Sequence, residues 1–107
     1  MTSDHWIRIS LPETIPPGQV RVVEAGEESI AVCRTLDGAL FAVEDLCTHD
    51  GGPLGEGTLA DFAIECPRHG ARFDVRTGAV LCMPAVVPVR TFPIREEAGT
   101  LFIQVEG

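Results

Sequence analysis

Cys47-Thr48-His49 and Cys66-Pro67-Arg68-His69 each carry one cysteine and one histidine within a single turn of chain, with the sixteen residues Asp50 to Glu65 between the two segments. Thiolates are soft ligands and imidazoles suit several transition metals, so together the segments can offer two sulfurs and two nitrogens to one centre. Zinc takes such a set, but structural zinc sites usually pair Cys with Cys and His with His at spacings of about two to five. Here each segment mixes the types, and the single residue between Cys47 and His49 sets both on one side of an extended loop rather than around a zinc knuckle. The other chemistry open to the set is a [2Fe-2S] cluster in which two thiolates hold one iron and two imidazoles the other.

The neighbours are of the kinds such a centre needs. Gly51, Gly52 and Pro53 follow the first pair, Gly70 follows the second, and Met83-Pro84 comes later. Glycine lets backbone approach a bulky group closely and aim N–H groups at its sulfurs, although the same residues also mark ordinary turns. The Gly-rich stretch Asp50 to Gly57 has neither phosphate-binding glycine spacing, and no amphipathic helix follows it. In order, composition and separation, Cys-x-His, sixteen residues and Cys-x-x-His resemble the Rieske [2Fe-2S] family, and with these flanks the resemblance spans most of the chain. It implies one cluster per chain, with Cys47 and Cys66 on the inner iron, His49 and His69 on the outer iron, and Met83-Pro84 in a proline-bearing cover loop.

Exchanging two thiolates for neutral imidazoles favours reduction of the outer iron. The resemblance therefore places the transferred electron, and the docking of partners, near His49 and His69. Respiratory members of the family have a disulfide between the two loops and hydroxyl donors to cluster sulfurs. The matching positions here are Gly52, Arg68, Ala71 and Phe73, none of which is Cys, Ser or Tyr. Fewer donors imply a potential at the low end of the Rieske range, about −150 mV, and argue against quinol oxidation. The resemblance is thus to a ferredoxin, an electron carrier and not an enzyme, passing electrons from a flavin-dependent NAD(P)H reductase to the terminal non-haem iron oxygenase of a ring-hydroxylating dioxygenase system. The small subunit of a nitrite-reductase-type flavoprotein complex has the same ligands, and a zinc-stabilised interaction module is the reading outside the family. Arg68 and Arg72 are placed either to meet an acidic partner or to sit in solvent. Leu46, Pro53, Leu54, Phe73 and Pro84 are expected to form a dry collar, a reading compatible with their being ordinary core.

The elements that must hold these loops are strands. Apolar and polar residues alternate over Trp6 to Leu11, Gln19 to Glu24, Ser29 to Thr35, Ala39 to Glu44, Phe62 to Glu65, Ala71 to Val75, Val89 to Arg95 and Leu101 to Val105. Turn residues separate them, with hairpins expected at Asp37-Gly38 and Thr77-Gly78. No stretch has sustained helical periodicity. The expected fold is an all-β antiparallel sandwich or barrel, a single domain over residues 1–107, and the resemblance implies that residues about 45–84 form a small cluster-binding lobe inserted in the β base.

Composition narrows the function further. At 107 residues there is room for one modest core but not for a second, oxygen-activating iron domain as well, and His5 is the only other histidine. A formal charge of −8 argues against nucleic-acid binding. The first ten residues lack the apolar core of a secretory signal, and no apolar run approaches membrane length, so a cytoplasmic protein that does not enter membranes is expected. That compartment agrees with cysteines that act as metal ligands. Cys33 reads as a small core residue and Cys82 as packing.

Overall fold

Period-two alternation becomes three small antiparallel sheets in the computed structural model, which describes residues 5–11, 13–48, 51–67, 70–83 and 87–105. The strands are β1 (His5–Ile9), β2 (Gln19–Ala25), β3 (Glu28–Arg34), β4 (Leu40–Glu44), β5 (Thr58–Ala60), β6 (Ala63–Glu65), β7 (Arg72–Asp74), β8 (Val80–Cys82), β9 (Thr91–Phe92), β10 (Ile94–Glu97) and β11 (Thr100–Val105). Their orders are β1-β11-β10, β2-β3-β4-β9 and β5-β6-β7-β8. Among the described residues the helical content is one 3-10 turn, Leu54–Glu56. The expected all-β antiparallel class is what forms.

The β2-β3-β4-β9 sheet is the middle layer, and β3 shows why. Side chains alternate across a strand. Ile30 and Val32 of β3 join one buried cluster with Leu101, Ile103 and Val105 of β11, whereas Ala31 and Cys33 join a second with Leu59, Ile64 and Phe73 of the β5-β8 sheet. A strand covered on both faces needs small or branched apolar residues at every position, and Ile30 to Cys33 are all buried.

Two departures from the expected strands have clear causes. The run Val89 to Arg95 divides at Pro93: β9 pairs with β4, and β10 pairs with β11. Proline has no N–H to continue a ladder, and its carbonyl instead accepts the Gln104 N–H at 2.9 Å as the chain changes sheets. Phe62 leaves the strand assigned to it and shares a two-residue turn with Asp61, since Ala60 pairs directly with Ala63. Its ring meets Phe41 of β4 edge-on at 6.3 Å between centroids, with the Arg76 guanidinium 4.2 Å from its face. Asp74 holds Arg76 there through bonds of 3.0 and 2.9 Å, and the hydrogen bond from Arg76 lowers the Asp74 carboxyl below the usual range. This contact joins the β5-β8 sheet to the middle sheet. Asp37-Gly38 and Thr77-Gly78 do lie between antiparallel neighbours, β3-β4 and β7-β8, but within longer loops covering residues 35–39 and 75–79.

Candidate metal centre

Cys47 follows β4 and Cys66 follows β6, and the two loops close with one backbone pattern. The Cys47 N–H donates to the Gly52 carbonyl at 2.8 Å, and the Gly51 N–H returns to the Cys47 carbonyl at 2.7 Å. In the second loop the Cys66 N–H donates to the Ala71 carbonyl at 2.7 Å, and the Gly70 N–H returns to the Cys66 carbonyl at 3.1 Å. Gly51 and Gly70 occupy the same place in each, with φ of +77° and +76°, a conformation that costs glycine nothing and side-chain-bearing residues energy. Leu54 and Phe73 then follow their cysteines at equal distance in the chain, and both are fully buried.

This duplication puts Cys47 and Cys66, respectively 0% and 1% exposed, into one buried cluster with Leu54 and Phe73. His49 and His69 lie outside the described residues, as do Arg68 and Pro84. In the chain, His49 stands between Cys47 and Gly51, and His69 between Cys66 and Gly70. Two buried thiols on one core, each followed within three residues by a histidine in sequence, are a donor set that fits a [2Fe-2S] cluster.

The ends of the first loop are tied by Asp45, whose carboxylate accepts the Gly55 N–H at 2.6 Å while its own N–H donates to the Ser29 carbonyl at 2.9 Å. The two loops meet at Gly57. A Cβ there would lie 1.9 Å from the carbonyl oxygen of Glu65, the residue before Cys66. Beyond β8, whose Cys82 is in register with Arg72 in the ladder, Val87 lies beside the first loop. Thr48 Oγ1 donates to the Val87 carbonyl at 2.5 Å, and the Val89 N–H donates to the Gly78 carbonyl at 2.9 Å.

Of the expected dry collar, Leu54 and Phe73 are buried beside the two cysteines, whereas Leu46 and Pro53 are exposed. Leu46, Leu81, Met83 and Val87 are instead large apolar side chains left in solvent on the segments that flank the loops. Arg72 pairs with Glu65 at 2.9 Å, both in solvent, where such a bridge is worth little. Cys33 is core, as its alternating context suggested, and burial pushes its thiol up to about 12. Thr48, Asp45 and Gly57 were not singled out by the sequence. Their roles depend on contacts with Val87, Gly55 and Glu65, and no local pattern announces these contacts.

The family model for the Rieske [2Fe-2S] domain matches residues 5–93. The ferredoxin component of biphenyl 2,3-dioxygenase from Rhodococcus jostii (strain RHA1) is 41% identical over 93 residues, 87% of this chain and 86% of that one. Among solved structures, a chain in the complex of reduced oxygenase and oxidized ferredoxin in carbazole 1,9a-dioxygenase matches with a TM-score of 0.82 at 36% identity, covering 91% of this chain and 99% of that one. A chain assigned as the small subunit of an NADH-dependent nitrite reductase from Mycobacterium tuberculosis matches with a TM-score of 0.84 at 21% identity, covering 96% of each, a likeness of fold alone.

Proposed function

This chain belongs to the Rieske [2Fe-2S] domain family, and from that premise we propose that it is a cytoplasmic one-electron carrier between a flavin-dependent NAD(P)H reductase and a terminal non-haem iron oxygenase. Cys47, His49, Cys66 and His69 hold its [2Fe-2S] cluster. The observation that carries this reading is the pair of buried cysteines on one core, each opening a loop closed by the same two hydrogen bonds. When bound, the cluster supplies a site for one electron at a potential near the low end of the Rieske range, about −150 mV.

The remaining work belongs to the chain. Cys47 and Cys66 release their protons on ligation, which makes assembly pH-dependent. Leu54 and Phe73 keep water from the inner side, and Gly51 and Gly70 let the loops turn tightly enough to bring backbone close. Among the described residues no helix is long and apolar enough to cross a membrane. The relatives named as dioxygenase ferredoxin components support an oxygenase as electron acceptor, and the carbazole complex supports direct docking. The nitrite-reductase reading has only likeness of fold behind it.

Absorption and electron paramagnetic resonance spectra, before and after dithionite, test the proposal when iron, sulfide and zinc are measured on the same anaerobic sample. About two irons and two sulfides with a Rieske-type signal on reduction are expected. A colourless protein containing zinc would replace the carrier with the interaction module.

Docking is proposed near His49 and His69, supported by the exposed Leu46, Leu81, Met83 and Val87. Met83 is 77% exposed, and Met83→Glu is expected to raise the carrier concentration for half-maximal oxygenase turnover about tenfold. The absorption spectrum should not change. Kinetics identical to those of the parent protein would move docking off this rim.

A further inference from the structure

We propose that Asp45 is a positioning residue whose carboxylate holds the neck of the first ligand loop closed, and so keeps the Cys47 side of the bound cluster in place. This rests on the carrier reading above.

The two ligand loops are alike from Cys47 to Gly52 and from Cys66 to Ala71, and they differ in what they stand on. The second rises from a ladder, in which β6 and β7 pair Glu65 with Arg72 and Ile64 with Phe73. Counted from the two cysteines, Leu46 and Pro53 hold the places of Glu65 and Arg72, and Asp45 and Leu54 those of Ile64 and Phe73. Pro53 has no N–H to give a partner strand, and Leu54 begins a 3-10 turn. The first loop leaves β4 on one side and returns through that turn on the other.

Asp45 spans the neck. Its Oδ1 accepts the Gly55 N–H at 2.6 Å, across ten positions of sequence, while its backbone N–H is fixed on the Ser29 carbonyl of β3. Its Oδ2 lies 3.5 Å from the Ser29 hydroxyl. A carboxylate is a stronger acceptor than a carbonyl. Gly55 directly follows Leu54, which is fully buried in one core with Cys47 and Cys66, so the bond that closes the neck also seats this core residue. What the β6-β7 ladder does with backbone for Cys66, one side chain does for Cys47. Removing a side chain should open the first loop and spare the second.

The holoprotein is compared as the parent, Asp45→Ala, Asp45→Asn and Arg72→Ala. The Asn amide keeps an acceptor for Gly55 and can turn its NH2 to the Ser29 hydroxyl, so it divides the bond from the charge. Arg72→Ala takes a side chain from the second neck and leaves its ladder. The first readout is the rate at which a ferrous chelator bleaches the reduced cluster. The second is amide hydrogen exchange at Gly55, with Val32 in the buried middle strand as a control for global unfolding. Asp45→Ala is expected to bleach, and to exchange at Gly55, about tenfold faster, the scale of one hydrogen bond to a charged group. Asp45→Asn and Arg72→Ala should stay within about threefold of the parent, and exchange at Val32 should not change. Parent-like bleaching of Asp45→Ala overturns the proposal, whatever Gly55 does. So does an Asp45→Asn or an Arg72→Ala protein that bleaches as fast as Asp45→Ala, since charge, or side chains at both necks, would then carry the effect. If Asp45→Ala takes up no cluster while Asp45→Asn does, the closed neck is needed from assembly onward and the proposal stands. If neither does, it falls. Should all four proteins contain zinc in place of iron, the carrier reading fails, while exchange at Gly55 still decides whether Asp45 holds the neck.

Discussion

Cys66→Ser and Cys47→Ser proteins are expected to contain no [2Fe-2S] cluster, their iron falling from about two atoms per chain to near zero, whereas Cys33→Ala keeps its full complement. The contrast is informative because Cys33 is as buried as the other two and shares their cluster of core residues. Burial alone thus does not distinguish ligand from filler. What separates them is backbone. Cys47 and Cys66 each open a closed loop with a left-handed glycine, while Cys33 lies within β3 with its thiol raised to about 12 by desolvation. Loss of its sulfur should cost packing energy, about 1 kcal/mol, and no iron. Because metal binding by a small fold adds to folding free energy, the two serine variants should also melt lower than the Cys33→Ala protein. Iron and sulfide analysis with a thermal melt checks both statements. A pale Cys33→Ala protein beside a coloured Cys66→Ser protein would reverse the assignment.

The second large effect is expected at Gly57. Its φ of −82° suits any residue, so alanine would meet no backbone penalty there. Its difficulty is contact with the Glu65 carbonyl, 1.9 Å from the new Cβ, where the main chains of β5 and β6 would have to part. Overpacking against backbone costs about 1–3 kcal/mol, and a domain of this size melts about 10–20 °C lower for a cost at the upper end. The displaced residue precedes Cys66, so chelators should also remove iron faster. Gly55→Ala is the control. There the nearest atom, at 2.2 Å, is a methyl of Val22, a half-exposed side chain that can rotate away, and a smaller loss of melting temperature is expected. Equal melting of the two variants would show that the Gly57 contact relaxes without cost.

How far these features could be read in advance depended on how local their causes were. Mixed Cys/His pairs and alternating runs are local, and they gave the family resemblance and the antiparallel class. β5 and β8 escaped notice because Thr58-Leu59-Ala60 and Val80-Leu81-Cys82 carry no apolar/polar alternation. Length was not the obstacle, since β6 and β7 are equally short. Thr58–Ala60 also follows directly on Gly55 and Gly57, which read as loop. The tight turn at Asp61-Phe62 has no glycine to mark it, and Asp61 adopts φ of +53°, a conformation aspartate tolerates better than most residues. Leu54 and Phe73 were expected as a dry collar or as core, and the sequence did not decide how deep they lie. Their positions at the ends of two closed loops turn them inward, a consequence of hydrogen bonds that no spacing rule contains. Thr48 looked like a spacer between ligands and has a partner at Val87.

The layering has a practical consequence for attachment. β1 and β11 are paired along their length, from His5 opposite Val105 to Ile9 opposite Leu101, so both ends of the described chain emerge from one outer layer. The middle sheet separates that layer from the loops of Cys47 and Cys66. A flexible tether at either end, to an electrode or to a fused reductase, leaves from the side away from the ligand loops. Wired in this way, the protein should present its redox end outward whichever end is anchored.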